Sequence, residues 1–150
     1  MLALRPARPE EAQALTELCL RSKAVWGYDA AFMEACRKEL AVTPAAIVSC
    51  SVQIAEVDGR LAGVAEVKSE GQIAQLEKLF VDPAMLRTGT GRKLLDWAKA
   101  TARAAGATTL LIEADPDAAP FYRRMGAVDD GVVPSGSIPG RFIPRLNLSL

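Results

Sequence analysis

The sequence predicts a single α/β domain built on a mixed β-sheet. The pair Asp58-Gly59 joins two apolar stretches and predicts an antiparallel hairpin, because glycine tolerates the positive φ of a tight turn. Between residues 75 and 113, a strand, an amphipathic helix and a second strand follow one another, which predicts a parallel crossover. The length of 150 residues suits one domain with its own core.

The first third of the chain is predicted to contain one strand and two helices. Leu2–Arg5 alternates weakly and predicts a short strand. Pro9 precedes two acidic residues, a pattern typical of a helix start. The segment Trp26–Asp29 separates this first helix from a second helix, which is expected over about Ala30–Leu40. Thr43-Pro44 then predicts the cap of a single helical turn.

Strands dominate the rest of the chain. They are predicted at Ser51–Val57, Leu61–Ser69, Gln75–Val81, Thr108–Glu113, Ala127–Val133 and Phe142–Leu148. An amphipathic helix is expected over Arg92–Ala105, and a short helix carries Phe121 and Tyr122. The expected fold therefore has about seven strands and about four helices.

Composition excludes several classes of function. The net charge is zero and half of the residues are apolar, so nothing indicates a nucleic acid or an anionic membrane as partner. The apolar runs fall short of the roughly 18 residues that a membrane span needs. Residues 1–9 lack the apolar centre of a signal peptide, and a cytoplasmic location is expected.

The chain contains no histidine and three widely spaced cysteines, Cys19, Cys36 and Cys50. The cysteines form no paired metal motif and are expected to be small buried hydrophobic residues. Without histidine, a Ser-His-Asp or Cys-His system and a His-ligated metal are excluded. Proton transfer is left to Glu, Asp, Tyr, Lys or Cys, and no metal is expected.

A glycine-containing turn, Leu86–Gly91, lies directly before the amphipathic helix. The first amides of a helix have no intrahelical acceptor, and the helix dipole favours an anion there. A phosphorylated ligand is therefore expected. The sequence has no mononucleotide P-loop string, because the required Gly-Lys-Ser/Thr is absent.

A dinucleotide fingerprint is the nearer competitor for this turn. Gly89 and Gly91 match its first two glycines, and Glu113 follows about 22 residues later, where a ribose-binding acid belongs. Two features oppose it. Leu94 occupies the third glycine position, and the segment Asp82–Thr88 is too long for the tight turn of that motif.

Three segments together resemble the GNAT family of acyl-CoA-dependent N-acetyltransferases. They are Leu-Phe-Val-Asp-Pro at 79–83, Arg-Thr-Gly-Thr-Gly-Arg-Lys-Leu-Leu at 87–95 and Ala-Ala-Pro-Phe-Tyr-Arg-Arg-Met-Gly-Ala at 118–127. The resemblance covers about Gln75 to Ala127 by motif and the whole chain by element order. One departure is Leu86, where the family usually has Gln or Arg; backbone amides form the turn with any side chain there.

The resemblance implies acetyl-CoA as cosubstrate, held by main-chain groups. In the family, the strand equivalent to Gln75–Val81 bulges and splays from its parallel neighbour, which frees backbone groups for the acetyl and pantetheine parts. The turn amides would hold the pyrophosphate. The implied cofactor-binding residues are Leu79, Phe80, Val81, Arg87, Thr88, Gly89, Thr90, Gly91 and Arg92, with Asp115 either contacting the cofactor or capping the short helix.

Tyr122 matches the family tyrosine that acts as general acid. In this chemistry an amine attacks the thioester and the leaving thiolate gains a proton. Reference pKa values of about 10 for a phenol and about 8.5 for a thiol make that transfer mildly uphill but feasible. From the residues alone, the alternative is that Phe121 and Tyr122 form an aromatic core pair.

Glu77 is the predicted general base. Alternation along the strand places it on the same face as Gln75 and Leu79. Two alternatives stay open: Glu77 is a solvated or salt-bridged strand residue paired with a neighbouring lysine, or Glu113 at the next strand end is the base.

Three residues are candidates for binding the acceptor besides Glu113. Trp26 and Tyr28 flank a glycine between two helices and would form a lid or substrate wall; ordinary helix packing is the alternative. Arg141 lies in the turn-rich loop Pro134–Arg141 and would bind a substrate carboxylate or phosphate; a plain hairpin connection is the alternative.

The predicted function is transfer of an acetyl group from acetyl-CoA to a primary amine of a small molecule or peptide, without a metal. A family habit of dimerisation favours a homodimer. Two alternatives belong to other classes: a catalytically idle acyl-CoA sensor, in which Glu77 and Tyr122 would lie away from the thioester, and a nucleotide-dependent oxidoreductase, which would bind NAD in preference to CoA.

Overall fold

A seven-stranded mixed sheet with helices on both faces forms the protein, as seen in a computed structural model that describes residues 1–150. The strands are β1 Leu2–Pro6, β2 Ser51–Val57, β3 Arg60–Glu70, β4 Ile73–Val81, β5 Thr109–Glu113, β6 Val128–Pro134 and β7 Phe142–Ser149. The helices are α1 Ala12–Ala24, α2 Ala30–Leu40, α3 Pro44–Ser49, α4 Thr90–Ala104 and α5 Ala119–Arg124, with short 3-10 turns at Pro9–Glu11 and Pro83–Met85.

The strand order in the sheet is β1-β2-β3-β4-β5-β7-β6. Only the neighbours β4 and β5 run parallel, and every other pair is antiparallel. The predicted mixed sheet is confirmed. The helix count of five exceeds the expected four because α3 is a six-residue helix, with the Thr43 hydroxyl accepting a 3.1 Å hydrogen bond from the Ala46 amide.

Two apolar layers cover the sheet. On one face, α1 and α2 pack over the hairpin strands through residues such as Leu15, Leu18 and Cys36. On the other face, α4 buries Leu94 and Leu95 against the sheet. None of the helices combines the length and the apolar character needed to cross a bilayer.

Helix α4 begins at Thr90, two residues earlier than predicted. Gly89, just before it, has φ of 82°, a left-handed conformation that glycine adopts without strain. Gly63 on β3 lets this end of α4 approach the sheet, because a Cβ there would lie 2.8 Å from Leu94 Cδ1 and 3.0 Å from Phe80 O. The glycine turn is thereby fixed close to β4.

Strands β4 and β5 part after a short paired segment. Their register runs only from Ile73 opposite Thr109 to Leu76 opposite Ile112. Beyond Leu76, β4 continues to Val81 with β3 on one side and no strand on the other. The predicted splayed pair is confirmed, and it leaves a slot at this end of the sheet.

A β-bulge lies where the slot begins. Val67 of β3 pairs with Leu76, whereas Glu66 pairs with Lys78, so Glu77 has no residue opposite it on β3. Leu76 and Leu79 both pack on the α4 side of the sheet, three positions apart. The predicted common face of Glu77 and Leu79 is therefore wrong, because the bulge shifts the alternation of side chains by one residue.

Candidate active site

A cavity of about 720 Å³ occupies the slot between β4 and β5. Its wall contains most of the residues that the sequence predicted for the site: Trp26, Glu77, Leu79, Phe80, Val81, Arg87, Gly89, Thr90, Gly91, Arg92, Glu113, Asp115, Tyr122 and Arg141. Two predicted residues, Thr88 and Tyr28, do not line it. The fold thus gathers residues from both halves of the chain at one place.

Free backbone donors form one end of the cavity. The amides from Arg87 to Arg92 donate to no acceptor within the chain. Arg87 has φ of 64° and Gly89 has φ of 82°, so left-handed residues alternate with others in this turn. Successive amides in such a turn form a concave anion site, and the start of α4 adds its dipole. The turn therefore fits a pyrophosphate.

The side chain of Thr88 forms its hydrogen bonds within the protein. Its hydroxyl donates a 2.7 Å hydrogen bond to the carbonyl of Met85 and lies 2.6 Å from the hydroxyl of Thr90. Thr90 itself is buried. A cofactor contact by Thr88 therefore stays a prediction for its backbone amide, since its side chain is used within the protein.

Glu77 reaches the cavity from the bulge. Burial, followed by the negative charge of Glu66, raises the pKa of Glu77 above its ordinary value. The neighbouring lysines bond elsewhere: Lys68 Nζ lies 3.3 Å from Glu70 and Lys78 Nζ lies 3.6 Å from Glu66. Glu77 therefore forms no ion pair with a lysine, but its side chain is exposed, so the alternative of a solvated strand residue stays open beside that of the general base. The raised pKa makes Glu77 a stronger proton acceptor than an ordinary glutamate.

Tyr122 lies on α5 beneath the cavity. Its side chain is buried and packs edge to face on Phe121, with ring centroids 5.2 Å apart. No group of the chain hydrogen-bonds its hydroxyl, and burial alone raises its pKa. The tyrosine is therefore protonated at neutral pH, as a proton donor must be. Tyr122 thus forms the aromatic pair and also lines the cavity, and its role as general acid stays a prediction.

Asp115 connects four segments of the chain above the cavity. Its Oδ2 accepts from Tyr28 Oη at 2.7 Å and from Lys23 Nζ at 3.1 Å, and its Oδ1 accepts from the Asp117 amide at 2.9 Å. Burial raises the pKa of Asp115, but these bonds and the charge of Lys23 outweigh burial and lower it below the ordinary range. A direct contact between Asp115 and the cofactor stays a prediction.

Arg141 comes from the β6–β7 loop and joins the same cluster. Its Nη2 donates to Tyr28 Oη at 2.9 Å and lies 3.8 Å from Asp115 Oδ2. The loop is anchored further by a hydrogen bond from Ser137 to Glu39 on α2. The description of this loop as a plain hairpin connection is therefore incomplete, because the loop docks on the first helices.

Lys23 and Glu39 belong to the site although no sequence pattern predicts it. Lys23 lies in the last turn of α1, where a basic residue is explained by the helix dipole alone. Glu39 is one of several charged residues on α2 and carries no motif. Both line the cavity. No local signal distinguishes them, since only the docking of the β6–β7 loop and α5 brings them to the site.

An open strand edge beside an anion-binding turn suits an acyl-CoA-dependent transferase, because the extended thioester arm of CoA leads to a diphosphate. The family model for the GNAT acetyltransferase domain matches residues 12–133. The chain belongs to this family. It is an acyltransferase that uses acetyl-CoA and acts on an amine.

Solved structures of other family members are similar along the whole chain. A GCN5-related N-acetyltransferase from Rhodopseudomonas palustris shares 26% identity with a TM-score of 0.83, covering 99% of this chain and 95% of that one. PaiA N-acetyltransferase from Thermoplasma acidophilum, solved with coenzyme A, shares 18% identity with a TM-score of 0.83, covering 100% and 99%.

The ribosomal-protein-S18-alanine N-acetyltransferase of Escherichia coli is more distant. It shares 18% identity with a TM-score of 0.72, covering 99% of this chain and 94% of that one. None of the curated proteins is similar to this chain in sequence.

Proposed function

We propose that the protein transfers the acetyl group of acetyl-CoA directly to a primary amine of a small molecule or a peptide. The observation that carries this proposal is the row of unpaired amides from Arg87 to Arg92, next to the open edge of β4. Together they offer one continuous set of main-chain donors and acceptors to a pantetheine arm and its diphosphate.

The residues of the slot would bind the cosubstrate through main-chain groups and through positive charge. Backbone groups near Leu79, Phe80 and Val81 would bind the amide groups of the pantetheine arm. The side chains of Arg87 and Arg92 line the cavity at the turn and would add positive charge near the phosphates. Bound acetyl-CoA supplies an activated acetyl group as a thioester.

Glu77 and Tyr122 would each carry out one proton transfer of the reaction. Glu77 accepts a proton from the ammonium form of the acceptor, directly or through water, so that the amine nitrogen has a free electron pair. The nitrogen forms a bond to the acetyl carbon, the resulting adduct loses a second N–H proton to solvent, and the carbon–sulfur bond then breaks. Tyr122 donates its proton to the departing sulfur and regains one from solvent, so the reaction yields an amide, CoA thiol and one proton.

Acceptor specificity would be set by the residues above the acetyl position. Trp26, Glu113 and Arg141 line that part of the cavity, while Tyr28 supports it by its bond to Asp115. The expectations of a cytoplasmic location and of a homodimer stay predictions.

A panel of primary amines tests the proposal: amino acids, polyamines, aminoglycosides and short peptides with a free N-terminus. Each is incubated with the protein and acetyl-CoA, and thiol release and product mass are recorded. Thiol release with an acetylated amine is the expected result. Tight binding of acetyl-CoA without transfer to any amine would favour the idle sensor, and preferential binding of NAD would favour the oxidoreductase.

A further inference from the structure

We infer that the acceptor carries an anionic oxygen group, a carboxylate or a phosphate, in addition to its amine, and that Lys23 and Arg141 bind this group. The inference rests on the proposed function, because the anionic group and the reacting amine would belong to one molecule in one cavity. It names a chemical class of acceptor.

The charges around Asp115 leave a surplus of one positive charge. Lys23 and Arg141 both approach the same oxygen of Asp115, at 3.1 and 3.8 Å, and Tyr28 donates to that oxygen as well. The other oxygen is used by the Asp117 amide. One carboxylate therefore faces two cations, and it has little capacity left for further donors.

Both cations retain unused hydrogen-bond donors in a mostly buried setting. Arg141 has five N–H groups, but only Nη2 has a hydrogen-bond partner, the hydroxyl of Tyr28 at 2.9 Å. Lys23 bonds only Asp115. Their side chains are 21% and 13% exposed, and both line the cavity. Donors in such a setting gain from an anionic acceptor, because a charge-assisted bond replaces a poorly hydrated N–H.

The aromatic pair below the cations holds them in place. The rings of Tyr28 and Phe32 stack with centroids 3.9 Å apart. Arg141 Cζ lies 4.9 Å from the centroid of Phe32, and Lys23 Nζ lies 5.5 Å from that of Tyr28. Ring faces attract cations without neutralising them. The two positive groups are therefore fixed in position while their charge stays available.

Acidic side chains also line this cavity, which contains Lys78 and Arg124 as further cations. Glu39, Glu77 and Glu113 line the same cavity, and of these Glu77 lies at the bulge where β4 and β5 part. A carboxylate there attracts the ammonium form of an acceptor, and the pair Lys23 and Arg141 attracts its anionic end. This arrangement of signs suits a zwitterionic acceptor and disfavours a polyamine, whose far end would meet the cations.

Matched acceptors measure the contribution of the anionic group. We suggest ω-amino acids from glycine to 6-aminohexanoate and the proteinogenic L-amino acids, each beside its carboxamide, with aminoalkyl phosphates as a further arm. The kcat/KM ratio of acid to amide is expected to reach about 10 to 100 at the best chain length, the range of a lost charge-assisted bond. Whether carboxylates or phosphates react faster identifies the group.

Variants assign this preference to the two cations. In Arg141→Gln and in Lys23→Gln the acid-to-amide ratio should fall toward one, and Arg141→Lys should restore part of it. Arg123→Gln, which removes an exposed arginine paired with Asp129 outside the cavity, should leave the ratio unchanged. A general loss of structure would lower the rates with acid and amide alike, so the ratio separates the two causes.

The outcomes distinguish this inference from the proposed function. If wild-type protein acetylates carboxamides or plain amines as fast as acids, or if Arg141→Gln keeps the preference for acids, the anionic subsite is refuted and the transferase stands. If acetyl-CoA binds but no amine in either series is acetylated, the proposed function itself fails, and the subsite with it.

Discussion

Tyr28 donates a 2.7 Å hydrogen bond to Asp115, although 87 residues separate the two in sequence. The bond joins the loop between α1 and α2 to the segment between β5 and α5. Lys23 and Arg141 complete the cluster, so one half-buried carboxylate holds the elements that cover the acceptor side of the cavity. Stability and specificity are thus expected to depend on the same group.

Asp115→Asn should lower stability at neutral pH by about 2 kcal/mol, because charged hydrogen bonds become neutral ones. The folded protein lowers the pKa of Asp115, so its stabilising contribution is present above the ordinary value of 3.8 and is lost as pH falls through the folded-state pKa. Urea unfolding at several pH values should show a difference in the free energy of unfolding between the wild type and Asp115→Asn. This difference should become smaller as the pH is lowered. The control variant Asp96→Asn, on the exposed face of α4, should have the same free energy of unfolding as the wild type.

Tyr122→Phe should lower kcat by about 10²- to 10⁴-fold, the usual contribution of a general acid. Affinity for acetyl-CoA should stay within about 2-fold. The fold should be unaffected, because the hydroxyl has no hydrogen-bond partner in the chain. Steady-state kinetics and calorimetric binding check both parts. An unchanged kcat in Tyr122→Phe would show that Tyr122 is not the general acid and contributes only its packing contact with Phe121.

Glu77→Gln should slow the reaction and change its pH profile. Because burial and the charge of Glu66 raise the pKa of Glu77, kcat/KM of the wild type should fall on acidification at a pH above the ordinary glutamate value of 4.5. That limb should be missing in the variant. If Glu77→Gln keeps full activity and the same fall of kcat/KM at acidic pH, Glu77 is not the base and Glu113 becomes the candidate.

Stability should respond to Glu77→Gln in the opposite direction. A carboxyl group whose pKa is raised by folding favours the folded state only when protonated, so the ionised form is unfavourable at neutral pH. The variant should therefore melt at the same or a higher temperature than the wild type at pH 7, with the difference vanishing at acidic pH. Glu17→Gln, an exposed site on α1, is the matched control.

Gly89→Trp should weaken acetyl-CoA binding by at least about 10-fold, since a bulky side chain would enter the pyrophosphate turn. A side chain at this left-handed position also costs about 1–2 kcal/mol in stability. Gly106→Trp provides the control: it has φ of 95°, open space around its Cβ position and a place just after the far end of α4.

Both tryptophan variants should lose similar stability, and only Gly89→Trp should lose affinity. Thermal unfolding and binding titrations on the two proteins separate these effects. Equal affinities for acetyl-CoA in both variants would contradict the assignment of the turn to the pyrophosphate.

The sequence by itself determined the order of the elements, the glycine turn and the parallel crossover. Each depends on local patterns: Asp58-Gly59 forms its turn from its own backbone preferences, and the apolar face of α4 follows from helical spacing. Tyr122 was found because a motif contains it, Glu77 because it lies on the predicted cofactor strand, and Arg141 because it lies in a turn-rich loop. Their predicted place at a common cavity agrees with the structure.

Tertiary structure alone decided the orientation of Glu77 and the membership of Lys23 in the site. The bulge at Glu77 exists because β3 and β4 pair out of step, and a shift of one residue reverses which face a strand side chain takes. Lys23 meets Asp115 only when α1 and the β5–α5 segment pack over the same end of the sheet. Both depend on contacts between residues distant in sequence, which no local spacing records.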